Sequence, residues 1–143
     1  MSASTLRKLH DIGETVEHAD EDVRGRKVLD TAGQDVGTVD GLMVDDDQNK
    51  VRFLRVECGG FLGIGATHVM IPVDAITSIT DDAVIIDREG KHLHGAPRYD
   101  PALVNERAEQ YWGDVYGYYG YAPYWGTGYT YPPYPNYVPR YPR

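Results

Sequence analysis

Cysteine and long hydrophobic runs are both scarce in this sequence. Its 143 residues contain a single cysteine, Cys58, so no disulfide can form within the chain. No segment approaches the ~20 consecutive apolar residues of a membrane-spanning helix, and residues 1–20 lack the apolar stretch of a secretory signal peptide. We therefore expect a cytoplasmic protein, with a peripheral position at the inner face of the membrane as the alternative.

Positive charge is also in short supply. The chain has 14 Lys and Arg residues against 22 Asp and Glu residues, which gives a formal net charge of -8. Twelve of the acidic residues fall between Asp11 and Asp47. Such a field repels the phosphate backbone of nucleic acids and the headgroups of anionic lipids. Direct nucleic-acid binding is therefore disfavoured, and a protein partner is expected.

Tyrosine is nearly absent from the first hundred residues and abundant after them. Eleven of the 12 tyrosines and six of the nine prolines lie from Tyr111 onward. The end of the chain is a Tyr/Gly/Pro-rich low-complexity tail without a hydrophobic period, which predicts an extended, disordered segment. Many aromatic rings on one chain favour weak multivalent contacts, and a tail without function is the alternative. The candidate interaction residues of the tail are Tyr118, Tyr119, Tyr121, Tyr124 and Trp125.

Composition and patterning divide the chain into five segments. These are a polar N-terminal extension at residues 1–21, a β-rich domain at 22–90, a linker at 91–99, a helix at 100–113 and the tail at 114–143. Apolar residues in the extension recur every three or four positions, which predicts a weakly formed amphipathic helix. The β-rich domain is small, so we expect it to need a closed or oligomeric architecture.

Six short β-patterned runs occupy the β-rich domain. They read "RKVLD", "VGTVDGLMVD", "KVRFLRVE", "HVMIP", "AITSIT" and "AVIID", and turn-forming residues separate them. Short β-branched runs at this spacing predict a small barrel or sandwich and disfavour a parallel α/β sheet. The second run is long, and a bend at Gly37 or Gly41 would let it turn a barrel corner. The predicted fold is mainly β, followed by one helix.

The segment "DPALVNERAEQYWG" carries the clearest helix signals. Asp100 is suited to cap the helix, Pro101 fits its first turn, and Gly113 is suited to end it. Tyr111 and Trp112 belong to its apolar face. We expect this face to cover an edge of the barrel or to meet a partner, and both residues are candidate interaction residues.

Several short motifs of the β-rich domain occur together in one known family. They are Gly25 before the first strand, "GQDVGTV" at residues 33–39, "VD" at 44–45, the glycine loop and "IPVDAI" at 71–76. As a set they make residues 22–88 resemble the PRC-barrel family, named for the H subunit of the photosynthetic reaction centre. The resemblance implies a six-stranded small β-barrel that acts as an adaptor or assembly module, and it implies no particular activity.

The glycine loop "GGFLGIGATHVMIP" at residues 59–72 resembles a ligand loop at first sight. Its glycines follow the order G-G-x-x-G-x-G, and a β-run comes next, which fits neither a P-loop nor a dinucleotide-binding turn. Two interpretations stay open. Phe61, Leu62 and Ile64 either fold back to plug the end of the barrel, or form an exposed apolar tip for a partner or a membrane.

Candidates for metal binding and catalysis are weak. Residues 45–49 have the spacing D-x-D-x-N but lack the glycine and the bidentate glutamate of a calcium loop. His92 and His94 form a pair, and the only further ligand types near them are Asp87 and Glu89. Cys58 follows Glu57, whose charge raises the pKa of a thiol and opposes a reactive thiolate. We therefore expect no cofactor, no metal and no enzymatic activity.

These observations predict a non-catalytic PRC-barrel module that acts through protein–protein contacts, with a homodimer as the expected assembly. One alternative is an adaptor on the cytoplasmic face of a membrane electron-transfer complex, as the H-subunit resemblance suggests. A second alternative is a factor for ribosome assembly, because ribosome maturation factors carry a domain of the same family. The acidic balance of the chain makes this second alternative depend on contacts with basic ribosomal proteins.

Overall fold

The β-branched runs of the central chain form one curled sheet. The computed structural model describes residues 6–8, 22–45, 50–58, 67–99 and 108–137. The strands are β1 (Leu6–Lys8), β2 (Lys27–Leu29), β3 (Asp35–Asp45), β4 (Lys50–Cys58), β5 (Thr67–Pro72), β6 (Ile76–Ile79) and β7 (Ala83–Ile86). The helices are α1 (Gly90–His94) and α2 (Ala108–Tyr119), and a 3-10 turn spans Val73–Ala75.

The strand order makes the sheet curl back on itself. Its order is β5-β4-β3-β2-β7-β6. Neighbours are antiparallel except for the parallel pair β2 and β7, in which Lys27 lies opposite Ala83. The two edge strands, β5 and β6, are consecutive in the chain and are joined by the 3-10 turn. The predicted mainly β fold is confirmed as a six-strand curled sheet, a half-barrel, with a helix.

A seventh, short strand comes from the N-terminal extension. Within this extension, for which the sequence predicts a weak helix, Leu6–Lys8 is instead β1 and pairs antiparallel with residues 43–45 of β3. On that side of β3, the pairing with β2 covers residues 35–38. Strand β1 therefore pairs with backbone groups farther along the same edge, and this hydrogen bonding outweighs local helix propensity. The other residues of the extension lie outside the described parts of the chain.

Strand β3 has a register shift at Gly41, one of the two glycines that the sequence singles out. Its register against β4 shifts between Val39 and Gly41, and again between Met43 and Val44. Such bulges bend a strand and increase its twist. At Gly37, a Cβ atom would lie 2.6 Å from the carbonyl oxygen of Glu57. Glycine thus lets β3 approach β4 closely at one point and accompanies its bending at another.

Strand β4 is covered on both faces. Phe53 and Leu54 are adjacent and therefore point to opposite faces of the sheet, yet both are 0% exposed. The ring of Phe53 contacts α2. Leu54 belongs to the same buried cluster. The helix and the curled sheet together close the core around β4.

The turn after β2 is tied to the start of α1 by one carboxylate. Asp30 accepts hydrogen bonds of 2.9 Å from the backbone N–H groups of Ala32, Gln34 and Gly90. The N–H groups of Gln34 and Gly90 are the main reason why the pKa of Asp30 is lowered. The segment 91–99, which the sequence assigns to a linker, thus contains most of a short anchored helix.

Helix α2 extends beyond the end predicted for it. The described part runs to Tyr119 and passes through Gly113, and residues 100–107 lie outside the described chain. Trp112, Val115 and Tyr116 are buried at helical spacing. Burial of this face offsets the roughly 1 kcal/mol helix penalty of a glycine. None of the described helices is long and apolar enough to cross a bilayer.

The helix ends at Gly120 in a Schellman motif. Gly120 has a φ of 84°, a conformation that side chains with a Cβ rarely adopt. Its N–H bonds the carbonyl of Gly117, and the N–H of Tyr121 bonds the carbonyl of Tyr116. These two bonds satisfy carbonyl groups at the end of the helix and reverse the chain.

The segment after α2 differs from the disordered tail that the sequence predicts. Residues 120–137 lie against the folded domain, and Tyr124 and Tyr134 are only 8% and 6% exposed. A tyrosine supplies both a large apolar ring and a hydroxyl group that can satisfy buried acceptors. Low-complexity sequence of this kind therefore docks on a structure that offers matching acceptors. Residues 138–143 lie outside the described chain.

Candidate interaction surface

Helix α2 is held on the sheet by aromatic rings that pack in tilted and edge-on arrangements. The ring of Phe53 lies 4.7 Å from that of Trp112 and 4.9 Å from that of Tyr116, measured between centroids. Tyr111 packs edge-on against Trp112, at 4.9 Å. Such pairs add to the free energy gained from burying the rings. They fix the helix and determine where the chain after it begins.

The chain after α2 runs back across the domain, and hydrogen bonds from its tyrosine hydroxyl groups attach it there. Tyr121 donates a hydrogen bond to the Asp87 carboxylate, at 2.6 Å. Farther along, residues 129–137, which we call the strap, make three more such bonds. The donors and acceptors are Tyr129 to Asp74 Oδ2 at 2.9 Å, Tyr131 to the carbonyl of Val51 at 2.9 Å, and Tyr137 to the carbonyl of Val73 at 2.6 Å.

A buried ion pair lies beneath the tyrosine rings of this segment. Arg52 Nη2 and Asp45 Oδ2 are 3.0 Å apart, and both side chains are nearly inaccessible to solvent. The guanidinium carbon of Arg52 lies 4.2 Å from the ring centroid of Tyr124 and 5.3 Å from that of Tyr131. Lys50 places its ammonium 4.6 Å from the second of these rings. Tyrosine rings thus cover cations that the sheet presents.

Asp74 lies at the same place and is covered by the strap. Its burial raises the pKa of the carboxyl, while the hydrogen bond from Tyr129 acts in the opposite direction. The same burial raises the pKa of the Tyr129 hydroxyl, and so does the nearby Asp74. We call Lys50, Val51, Arg52, Val73 and Asp74 the phenol-binding face, because each of them contacts a tyrosine ring or hydroxyl group.

Comparison with known proteins decides the family. A family model described as PRC-barrel domain matches residues 16–93, more than half of the chain. The chain belongs to the PRC-barrel family. No match was found among curated proteins. The family expectation drawn from the motifs of residues 22–88 is thereby confirmed.

The region that matches the PRC-barrel model does not include helix α2 or the strap. The match ends at residue 93, inside α1. The phenol-binding face, which lies at residues 50–52 and 73–74, falls within the PRC-barrel region. Helix α2 and the strap come after it. The contact between the strap and the phenol-binding face therefore joins a later segment, which the family model does not cover, to the family domain.

The candidate interaction residues from the sequence fall into three groups. Trp112, Tyr119 and Tyr124 are buried within the chain itself. Tyr111, Tyr118, Tyr121 and Trp125 are partly exposed around them. Phe61, Leu62 and Ile64 lie outside the described residues, so both interpretations of the glycine loop stay predictions.

Sequence reasoning missed the residues that receive the strap. Arg52 is buried although it interrupts an apolar run, and a charged residue between Val51 and Phe53 could have signalled a covered cation. Asp74 lies in "IPVDAI", where the sequence pattern indicates only the family. The strap reaches Asp74 through a hydroxyl group and Arg52 through its rings. Both lie within its reach because Phe53 pairs with Pro72, which brings the start of β4 beside the 3-10 turn.

A second polar cluster lies on β3, β4 and β5. Asp40 bridges two basic side chains, with Oδ1 2.9 Å from Arg55 Nε and Oδ2 3.0 Å from His68 Nε2. The guanidinium of Arg55 also lies 5.6 Å from the ring of Tyr99. All three polar side chains are partly exposed. The cluster links three strands across the surface of the sheet.

The weak candidates for chemistry have structural partners where they are described. Asp45, the first residue of the D-x-D-x-N spacing, pairs with Arg52. The ring of His92 packs 4.3 Å from that of Tyr118, and burial lowers its pKa. The pKa of Cys58 is raised as expected, although burial contributes more than Glu57. Within the described residues, no cluster of three or more His, Cys, Asp or Glu side chains could hold a metal.

An open groove of about 400 Å³ lies beside α1. Its lining residues are Thr31, Asp87, Arg88, Glu89, Lys91 and His92. Arg88 is engaged on two sides, by the carboxylate of Asp87 and by the backbone carbonyl of Tyr119. The groove thus borders the junction of α1 with the end of α2.

Proposed function

We propose that this PRC-barrel protein is a non-catalytic binding module that acts in the cytoplasm through protein–protein contacts and assembles as a homodimer. The observation that supports it is a set of four partly exposed aromatic rings on α2 and on the residues just after it, which we call the aromatic surface. These rings belong to Tyr111, Tyr118, Tyr121 and Trp125. Tyrosine and tryptophan are enriched where proteins bind one another, because they combine a large apolar area with a polar tip.

Electrostatics supports a protein partner over a nucleic acid. The formal net charge of -8 disfavours contact with phosphates. Membership of the PRC-barrel family agrees with a module that has no catalytic role. A partner with a basic rim around an apolar centre fits the acidic chain and its aromatic surface best, since complementary potentials favour encounter.

Site-specific photocrosslinking in the native cell tests this function. A photoreactive phenylalanine derivative replaces Trp125, which lies in the aromatic surface and is partly exposed. The matched control places the same group at Asp81, an exposed residue between β6 and β7. We expect one defined adduct from position 125, and much less of it from position 81. The cell fraction in which this adduct is enriched, whether soluble, membrane or ribosomal, then shows where the partner is.

The two positions also define the result that would overturn the proposal. Equal adduct patterns at both positions would indicate non-specific capture. Absence of any adduct from position 125, with the variant folded and expressed, would show that the aromatic surface meets no partner. Release of a converted small molecule by the purified protein, abolished by a substitution in the barrel, would replace the binding function with an enzymatic one.

A further inference from the structure

A short exposed hinge divides the segment after α2 into two parts. Before it, the rings of Tyr124 and Trp125 lie 6.5 and 5.9 Å from the ring of Tyr116 in α2. The hinge is residues 126–128, all exposed, and Gly128 has a φ of 80°. The strap follows it. Because the hinge residues are exposed, the chain can change direction there while Tyr124 and Trp125 stay on α2.

The strap is held on the phenol-binding face by a repeated chemistry. Three of its four tyrosine hydroxyl groups donate to acceptors of the face, and the cations of Lys50 and Arg52 lie over one of its rings. The strap reads "YTYPPYPNY" and has no charged side chain. Prolines favour extended chain and lower the entropy lost on docking. The face therefore recognises an extended chain that carries tyrosines.

We propose that the phenol-binding face is a docking site for the strap of a second copy of this chain, exchanged by opening the hinge. This proposal rests on the proposed function as a protein-contact module and specifies the contact that would form its homodimer. The strap bound to its own domain then competes with the strap of the second copy for the phenol-binding face. In the exchanged dimer, each strap makes the same hydroxyl bonds on the other copy, and only residues 126–128 change conformation.

The composition of the strap and the connectivity of the chain favour a second copy as the occupant. Two copies repel each other through their net charge of -8 each, and the uncharged strap is a segment of the second copy that adds no charge at the face. Reciprocal exchange uses the same surfaces twice and closes with two-fold symmetry. The local strap competes at an effective concentration of about millimolar, because its linker is short. Exchange is therefore favoured at high protein concentration, or when the hinge is shortened.

Hinge-length variants of the full chain test the exchange by analytical ultracentrifugation. Deletion of Thr127 and Gly128 shortens the reach by up to ~7 Å, so the strap no longer reaches its own face. We expect this variant to dimerise at least tenfold more tightly than the wild type. Insertion of two glycines at the same point is the control, and it should leave the wild-type monomer–dimer balance unchanged.

The anchors of the strap distinguish exchange from non-specific association. Combining the deletion with Tyr129→Phe, Tyr131→Phe and Tyr137→Phe removes three hydroxyl groups and keeps the rings. We expect the dimerisation constant to weaken at least tenfold. A shortened chain that stays monomeric, or a dimer that is indifferent to these three substitutions, would overturn the proposal.

A second measurement covers the case in which the shortened chain does not fold. A fluorescein-labelled peptide of residues 129–137 is titrated with full-length Tyr129→Phe/Tyr131→Phe/Tyr137→Phe protein, whose own strap is weakened. Fluorescence anisotropy should show at least tenfold tighter binding than with the wild type. The control protein, Tyr99→Phe, loses a tyrosine hydroxyl group outside the strap and the phenol-binding face, on a ring that lies 5.6 Å from the guanidinium of Arg55, and should behave as the wild type. Equal affinity for all three proteins would contradict the proposal.

The two proposals fail in different ways. A specific photoadduct at position 125, together with no strap exchange and no peptide binding, would retain the binding module and reject the strap as its ligand. Strap exchange without a photoadduct to any other protein would retain the docking site and restrict the partner to a second copy.

Discussion

At the scale of single residues, the buried pair of Arg52 and Asp45 is the most consequential polar contact. A guanidinium in the interior needs a countercharge because it is expensive to remove from water. Here Asp45 supplies that charge at 3.0 Å, and tyrosine rings cover the rest. The pair ties the end of β3 to the start of β4, directly beneath the strap.

Replacing Asp45 with Asn should strongly destabilise the protein. The side chain keeps its size, but the charge of Arg52 loses its compensation, and breaking one side of a buried pair costs roughly 3 kcal/mol or more. Urea denaturation followed by circular dichroism measures the loss of unfolding free energy. Asp81→Asn, at an exposed position, is the control and should change stability by less than about 0.5 kcal/mol. Equal effects of the two substitutions would show that the pair contributes nothing to stability.

Asp74 should make stability depend on pH in the unusual direction. Burial raises the pKa of its carboxyl above the ordinary 3.8, so the native state holds the proton more tightly than the unfolded state does. Its contribution is therefore fully present at a pH below 3.8 and is lost as the pH rises through the native pKa. Asp30, whose pKa is lowered, contributes in the opposite sense.

The variant Asp74→Asn isolates this effect because it mimics the protonated carboxyl. We expect it to match the wild type in unfolding free energy at the acidic end and to exceed it increasingly as the pH rises. The advantage should become constant above the native pKa of Asp74. Urea unfolding of both proteins at a series of pH values gives the difference directly. Two parallel stability curves would disprove the raised pKa.

At the scale of elements, glycine has opposite roles in β3 and α2. At Gly37 a Cβ would lie 2.6 Å from the carbonyl oxygen of Glu57 and 2.8 Å from a methyl carbon of Val56. At Gly117 a Cβ would meet nothing within 4 Å, and the residue lies in the helix with an exposed surface. The first glycine permits strand contact, whereas the second only weakens the helix.

Two alanine substitutions should therefore change stability in opposite directions. Gly37→Ala forces β3 away from β4 and should cost about 1–3 kcal/mol of unfolding free energy. Gly117→Ala lowers the entropy of the unfolded chain and should add up to about 1 kcal/mol. Thermal and urea unfolding measure both, and each variant serves as the control for the other. A loss of stability in both would show that the helix needs glycine at position 117 for another reason.

At the scale of the whole molecule, net charge should prevent non-specific nucleic-acid binding. With a formal net charge of -8, the chain has no general attraction for phosphates. We expect no binding to a random-sequence RNA with a Kd below ~10⁻⁴ M near physiological salt. Fluorescence anisotropy with the full-length protein checks this, and a basic protein of similar size is the positive control. Saturable binding that weakens linearly with the logarithm of salt concentration would contradict it.

The sequence predicts the elements of the barrel better than their surroundings. All six β-patterned runs become strands, because alternation and turn residues are local signals. The end of α2 is missed, since Gly113 is a helix stop only where no burial compensates for it. The strand at Leu6–Lys8 is missed for a related reason. Its pairing with β3 depends on an edge that exists only after the sheet has formed.

The sequence alone determines that this is an acidic, cysteine-poor PRC-barrel protein with a mainly β fold, since composition, alternation and family motifs need no knowledge of distant contacts. Only the tertiary structure decides the place of the tyrosines. Low-complexity composition predicts disorder because the segment has no core of its own. The folded sheet instead brings Val51 and Asp74 together as acceptors for hydroxyl groups. A segment that cannot fold alone is ordered by a surface formed elsewhere in the chain.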